Sequence, residues 1–84
     1  MAQKLLSASG AIKGTKDVKV YHMVISATAN ATAIMKLGGT SGTQDGPTVR
    51  ALANDTVECS FPGGIRCDYV TLTGTGVNCW ISFS

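Results

Sequence analysis

The sequence predicts an all-β domain, a small antiparallel β-sandwich or jelly roll of about seven short strands. Three observations carry this. Residues 54–84 hold three runs rich in β-branched and aromatic residues, TVECSF, IRCDYVTLT and VNCWISFS. Turn signals separate them, Pro62-Gly63-Gly64 and Gly74-Thr75-Gly76. Upstream, apolar residues recur with period two, the period of a strand. An open meander is the alternative arrangement of the same strands.

Taken in order, residues 2–9 (AQKLLSAS) read as a strand ending at Gly10, with a short helix as the competing assignment. Residues 9–17 (SGAIKGTKD) are turn-like, with two glycines and mixed charge. Residues 18–28 (VKVYHMVISAT) are the clearest early strand. Strict alternation places Tyr21, Met23, Ile25 and Ala27 on one face and Val18, Val20, His22 and Val24 on the other. Both faces are mostly apolar, as in a strand covered on both sides.

In residues 29–37, the alanines and the following Gly38-Gly39 would suit a capped helix. However, Ala31, Ala33, Met35 and Leu37 alternate with Thr32, Ile34 and Lys36, which favours a strand. Its expected partner is the preceding strand, turned about Thr28-Ala29-Asn30. Residues 38–47 (GGTSGTQDGP) hold four glycines and a proline, and predict an irregular, mobile loop at the rim. A strand over 47–53 and a turn at Asn54-Asp55 follow.

The next two runs are expected to close as a hairpin about Pro62-Gly63-Gly64. Phe61 would then face Ile65, Cys59 face Cys67, and Val57 face Tyr69, with Glu58, Ser60, Arg66 and Asp68 on the opposite, polar face. In the last strand Val77, Cys79, Ile81 and Phe83 share a side, and Asn78, Trp80 and Ser82 the other. Trp80 stands out there as a large aromatic on a polar face, a cover for the core rim or an interface anchor.

Composition narrows the function classes. A chain of 84 residues is one domain, residues 1–84, near the lower size limit for independent folding. It is 44% hydrophobic and only 14% charged, against about 25% charged in a typical domain. The surface is therefore largely neutral Thr, Ser, Gly and Ala, which favours burial against another subunit. Net charge is +2, and Lys4, Lys13, Lys16 and Lys19 all fall within the first nineteen residues. Only Arg50 and Arg66 could read base edges, so a nucleic-acid binder is not expected. The start MAQKLLSASGA has too short an apolar core for export, and no run nears the ~20 apolar residues of a membrane span. Synthesis in a reducing cytoplasm is the expectation.

Catalytic and metal chemistry find no pattern to rest on. Cys59, Cys67 and Cys79 are separated by seven and eleven residues, unlike the close pairs of zinc sites. They alternate in phase with Val, Ile, Phe and Tyr and read as buried free thiols. A Cys59–Cys67 disulfide would fit the hairpin register, although cytoplasmic synthesis argues against it. His22, the single histidine, reads as a satisfied core or interface residue. Asp17, Asp45, Asp55, Glu58 and Asp68 are scattered. The stretch GGTSGTQDG lacks the lysine and following helix of a phosphate loop. No enzyme, no cofactor and no metal are expected.

The phrase Phe61-Pro62-Gly63-Gly64-Ile65-Arg66, then residues 69–76 (YVTLTGTG) and a closing strand, resembles small β proteins of tailed-bacteriophage virions. The strand pair over residues 20–33 and the Gly/Thr-rich loop before the middle strand belong to the same likeness, which covers residues 15–84. The resemblance implies an accessory virion protein of the capsid-decorating, or cement, kind. Its partner would be the major capsid protein or another virion protein, and its own state a homo-oligomer, with a trimer favoured. In that picture residues 1–16 form an N-terminal arm contacting the capsid, so that Lys4, Leu5 and Leu6, with Trp80, are the candidate interface residues. The alternative is a receptor- or glycan-binding module of a tail or fibre, with loop 38–47 and Trp80 as its recognition surface.

Overall fold

The computed structural model describes residues 2–14 and 16–84. Among these, nine strands occur in the order β1 (Ala2–Leu6), β2 (Gly10–Ala11), β3 (Val18–Ala27), β4 (Ala31–Leu37), β5 (Thr43–Gln44), β6 (Val49–Ala51), β7 (Asp55–Cys67), β8 (Tyr69–Thr73) and β9 (Asn78–Phe83). They build two antiparallel sheets packed face to face. The first has the order β1-β9-β3-β7, and the second β2-β8-β4-β5, with β6 also pairing β4. This is the all-β sandwich that the alternating pattern predicts.

The chain changes sheet at most of its connections, and this is where local expectation fails. Strands β3 and β4 do not form a hairpin. Thr28 instead carries the chain across, donating to the Thr75 carbonyl through its N–H (3.2 Å) and its hydroxyl (2.9 Å). Thr75 lies in the β8–β9 connection, which also crosses between sheets, so two crossings are tied at one end. The turn at Asn54 is present, with Asn54 at φ 58°, a left-handed conformation that asparagine tolerates better than most residues.

The expected hairpin at Pro62-Gly63-Gly64 is instead a bulge inside one long strand. Both halves of β7 pair with β3, Val18 opposite Cys67 and Met23 opposite Cys59. Between Val20↔Ile65 and His22↔Ser60, the residues Phe61-Pro62-Gly63-Gly64 stand opposite Tyr21 alone. Gly64 has φ 80°, and a Cβ there would come within 3.0 Å of the Tyr21 ring. Glycine therefore fits both the backbone twist and the close approach. Cys59 and Cys67 follow one another along β7 rather than face each other, and all three cysteines are free.

The same irregularity corrects the faces of β3. On the β9 side, Val20 opposes Phe83 and His22 opposes Ser82, so Tyr21 is an extra residue. The bulge reverses the alternation once. Val18, Val20, Met23, Ile25 and Ala27 all become buried, while His22 and Val24 turn outward. Tyr69 is likewise removed from the face of Phe61 and Cys67, because the chain crosses sheets at Asp68.

The core lies between the sheets. Met23, Ile25, Ile81 and Val20 of the first sheet face Met35, Val70, Ala31 and Ala33 of the second, large residues against partly small ones. Each fully buried aliphatic side chain of this kind stabilises by roughly 1.5–3 kcal/mol relative to exposure.

Of the stretch expected as an N-terminal arm, 1–16, the described residues pair with the two sheets; Met1 and Thr15 lie outside the described residues. β1 pairs with β9 and β2 with β8, and Leu6 and Ile12 are buried in the core. Burying Leu6 and Ile12 at the open sheet edges gains more than extending them into water. Loop 38–47 also holds regular structure that its composition does not predict. It contains a 3-10 turn, Gly39–Ser41, and the short strand β5.

Candidate interaction face

The outward side of the first sheet carries the residues that alternation leaves over. The registers align Leu5 with Trp80, Trp80 with Val24, and Val24 with Glu58, one row across all four strands. The neighbouring rows are polar, Gln3–Ser82–His22–Ser60 on one side and Asn78–Ser26–Thr56 on the other. Trp80 is 51% exposed and Leu5 43%. The middle of this face is thus neutral apart from Glu58 and His22, with an apolar stripe through it, and the charged pair of positions Lys19 and Arg66 lies beyond the bulge.

Of the four residues expected at an interface, the structure brings two together. Leu5 and Trp80 are cross-strand neighbours. Lys4 occupies the inward phase of the exposed edge strand β1, a common guard against unwanted edge pairing. Leu6 belongs to the core, because its side chain points between the sheets.

His22 lies on this face and not in the core. Its Nδ1 is 3.1 Å from Ser60 Oγ, and its Nε2 is 3.7 Å from a Glu58 oxygen. The three side chains form an exposed chain of polar contacts. A nucleophilic serine also requires a concave site that excludes water and positions donors for an oxyanion, whereas the Glu58 side chain is 70% exposed. The contacts fix the orientation of the His22 ring on the exposed face.

At the end of β7, Arg66 bonds Asp17 through its guanidinium, and this contact holds the Asp17 carboxyl below the usual carboxylate range. Both groups are in water, so the pair adds little to stability. Asp68 does not sit on the polar face of β7 as expected. Its carboxylate accepts the backbone N–H groups of Gly38 (3.1 Å) and Gly39 (2.9 Å), which anchors the loop after β4.

The cysteines all lie in the first sheet, on β7 and β9. Cys67 and Cys79 are fully buried, and burial pushes each thiol up to about 12. A thiol held protonated in this way is a poor nucleophile and a poor metal ligand. Among the described residues, no three His, Cys, Asp or Glu side chains converge as metal ligands.

The second sheet presents a feature that sequence reasoning missed. A shallow open cleft of about 170 Å³ is lined by Asn30, Ala31, Thr32, Arg50, Ala51, Leu52 and Thr73. Arg50, Thr32 and Thr73 form one cross-strand row on the outer face. Leu52, 67% exposed, stands at the cleft wall. The signal was available in VRAL: burying Val49 and Ala51 turns Arg50 and Leu52 outward together.

Loop 38–47 and Trp80 do not come together. The loop borders the second sheet through β5, and Trp80 lies on the outer face of the first. A recognition surface formed jointly by both is therefore not what the fold builds.

Comparison with known proteins finds no matching family model, no matching curated protein and no matching solved structure.

Proposed function

We propose that this chain is a structural protein of a bacteriophage virion, a decoration subunit that binds and stabilises the capsid shell. The single observation that supports it most is the Leu5–Trp80–Val24 stripe, flanked by uncharged polar residues on most of its length, on the outer face of the first sheet. Large exposed apolar residues set in a neutral surface mark a component that is completed by another protein. The viral setting comes from the resemblance of the FPGGIR and TLTGTG segments to phage virion proteins.

The sandwich suits such a role in physical terms. A rigid β body with few charges can bridge neighbouring subunits through shape and neutral contact. The contact is not an N-terminal arm in this reading, since removing residues 2–12 would take Leu6 and Ile12 from the core together with β1 and β2. Surface substitution is the appropriate probe.

The test is cosedimentation with purified shells of the phage that encodes the chain. Stoichiometric copelleting, with raised resistance of the shell to heat, is the expected result. Free protein in the supernatant at saturating shell concentration would overturn the proposal. The second reading, a tail or fibre module, draws on the exposed Trp80 ring, which could stack on a sugar. Quenching of Trp80 fluorescence by oligosaccharides, without shell binding, would favour it.

A further inference from the structure

We propose that the stripe on the first sheet is covered by the second sheet of a neighbouring copy of this chain. Trp80 of one copy enters the cleft between Thr73 and Leu52 of the next, and Glu58 meets Arg50. This rests on reading the stripe as an assembly interface, and it names what covers it.

Three independent features of the two surfaces match. The exposed large apolar residues among those described are Leu5, Trp80 and Leu52, the first two on the stripe and the third at the cleft. Their spacing agrees as well. Trp80 and Glu58 are two strands apart with Val24 between them, and Thr73 and Arg50 are two strands apart with Thr32 between them. At the usual interstrand distance both spans are about 9–10 Å. A tryptophan over Thr73 thus places the carboxylate over the guanidinium.

Charge is complementary at the far end of each row. Glu58 is exposed, its side chain 70% accessible, and its one ion-pair contact among the described residues is the His22 ring at 3.7 Å. Arg50 is exposed and makes no ion pair among the described residues.

The two surfaces differ and lie on opposite faces of the sandwich. The contact is therefore head-to-tail, and because the two patches face in opposite directions, successive copies stack as an open column of three or more chains. One neighbour cannot cover both faces, so a dimer is excluded by this geometry.

The experiment uses the intact chain, light scattering behind size exclusion, and the emission of its single tryptophan. The expected wild type is an assembly of three or more 8.7 kDa chains, with Trp80 emission blue-shifted and shielded from acrylamide. R50E and E58R each weaken association by about tenfold or more and expose Trp80, since like charges then face each other. The double variant R50E/E58R restores both mass and shielding. Both sites are exposed, and far-UV circular dichroism checks that each variant stays folded. A monomeric or dimeric wild type, an unaffected single variant, or a folded double variant that stays apart would overturn the contact. A monomer that still coats shells would sink this contact and leave the decoration role standing. A charge-dependent assembly that ignores shells would do the reverse.

Discussion

In the first sheet, β3 runs ten residues between a six-residue β9 and a thirteen-residue β7. In the second, β4 runs seven residues, and one of its sides is covered only by the two- and three-residue pieces β5 and β6. The first sheet is held by long backbone ladders. The second is stitched by side chains that stand in for ladder it lacks. Ser9 Oγ accepts the Leu72 N–H at 2.8 Å and donates to the Leu72 carbonyl at 3.2 Å, which extends the short β2–β8 pairing. Asp68 clamps Gly38 and Gly39, and Asn30 Oδ1 accepts the Ala53 N–H at 3.1 Å. Continuous pairing makes a rigid platform for Trp80. Clamped fragments leave room for the cleft beside Arg50.

The largest test of this contrast removes bulk from the middle of the long sheet. Met23→Ala should cost about 2–5 kcal/mol in denaturant unfolding, as for other buried large-to-small changes. Native-state hydrogen exchange should show β3 amides opening only with global unfolding, and β5 and β6 amides opening far earlier. Equal protection in both sheets would break the comparison.

The thiol contribution to the alkaline response belongs to the first sheet, because that sheet carries all three cysteines. The folded thiols of Cys67 and Cys79 titrate at about 12, against an ordinary value of 9.0. Above the ordinary value the unfolded chain loses these protons and the folded chain keeps them. Stability is therefore intact below pH 9 and falls from there through about pH 12. Melting temperature against pH checks this, with Cys79→Ala expected to flatten the alkaline decline. At neutral pH a thiol reagent should label Cys59 first.

The smallest effect belongs to the clamps. Asp68→Ala leaves two backbone N–H groups without their acceptor and should cost about 1–3 kcal/mol. Exchange should accelerate at Gly38, Gly39 and β5 while β3 is unchanged. Acceleration spread evenly through both sheets would mean that the clamp supports the whole sandwich.

The candidate face was legible in part. Trp80 on a polar face follows from alternation in VNCWISFS, and Leu5 is out of phase with Leu6. Their meeting across β1 and β9 was not legible, since the two strands lie at opposite ends of the chain. Arg50 and Leu52 carried an alternation signal, but the cleft between them and Thr73 exists only once β6, β4 and β8 lie side by side.

The sequence by itself determined that this chain is β, where most of its strands run, and which residues of β4, β7 and β9 are buried. Those properties follow from period-two alternation and turn residues, which act over a few positions. Tertiary structure decided that Pro62-Gly63-Gly64 is a bulge, that Thr28–Asn30 is a crossing, and that Tyr21 reverses the faces of β3. A glycine-rich stretch permits a turn, a bulge or a crossing at similar local cost. The choice falls to the long-range partner, here a ten-residue β3 able to pair with both halves of β7, because burial and backbone pairing summed over a whole strand outweigh any single turn.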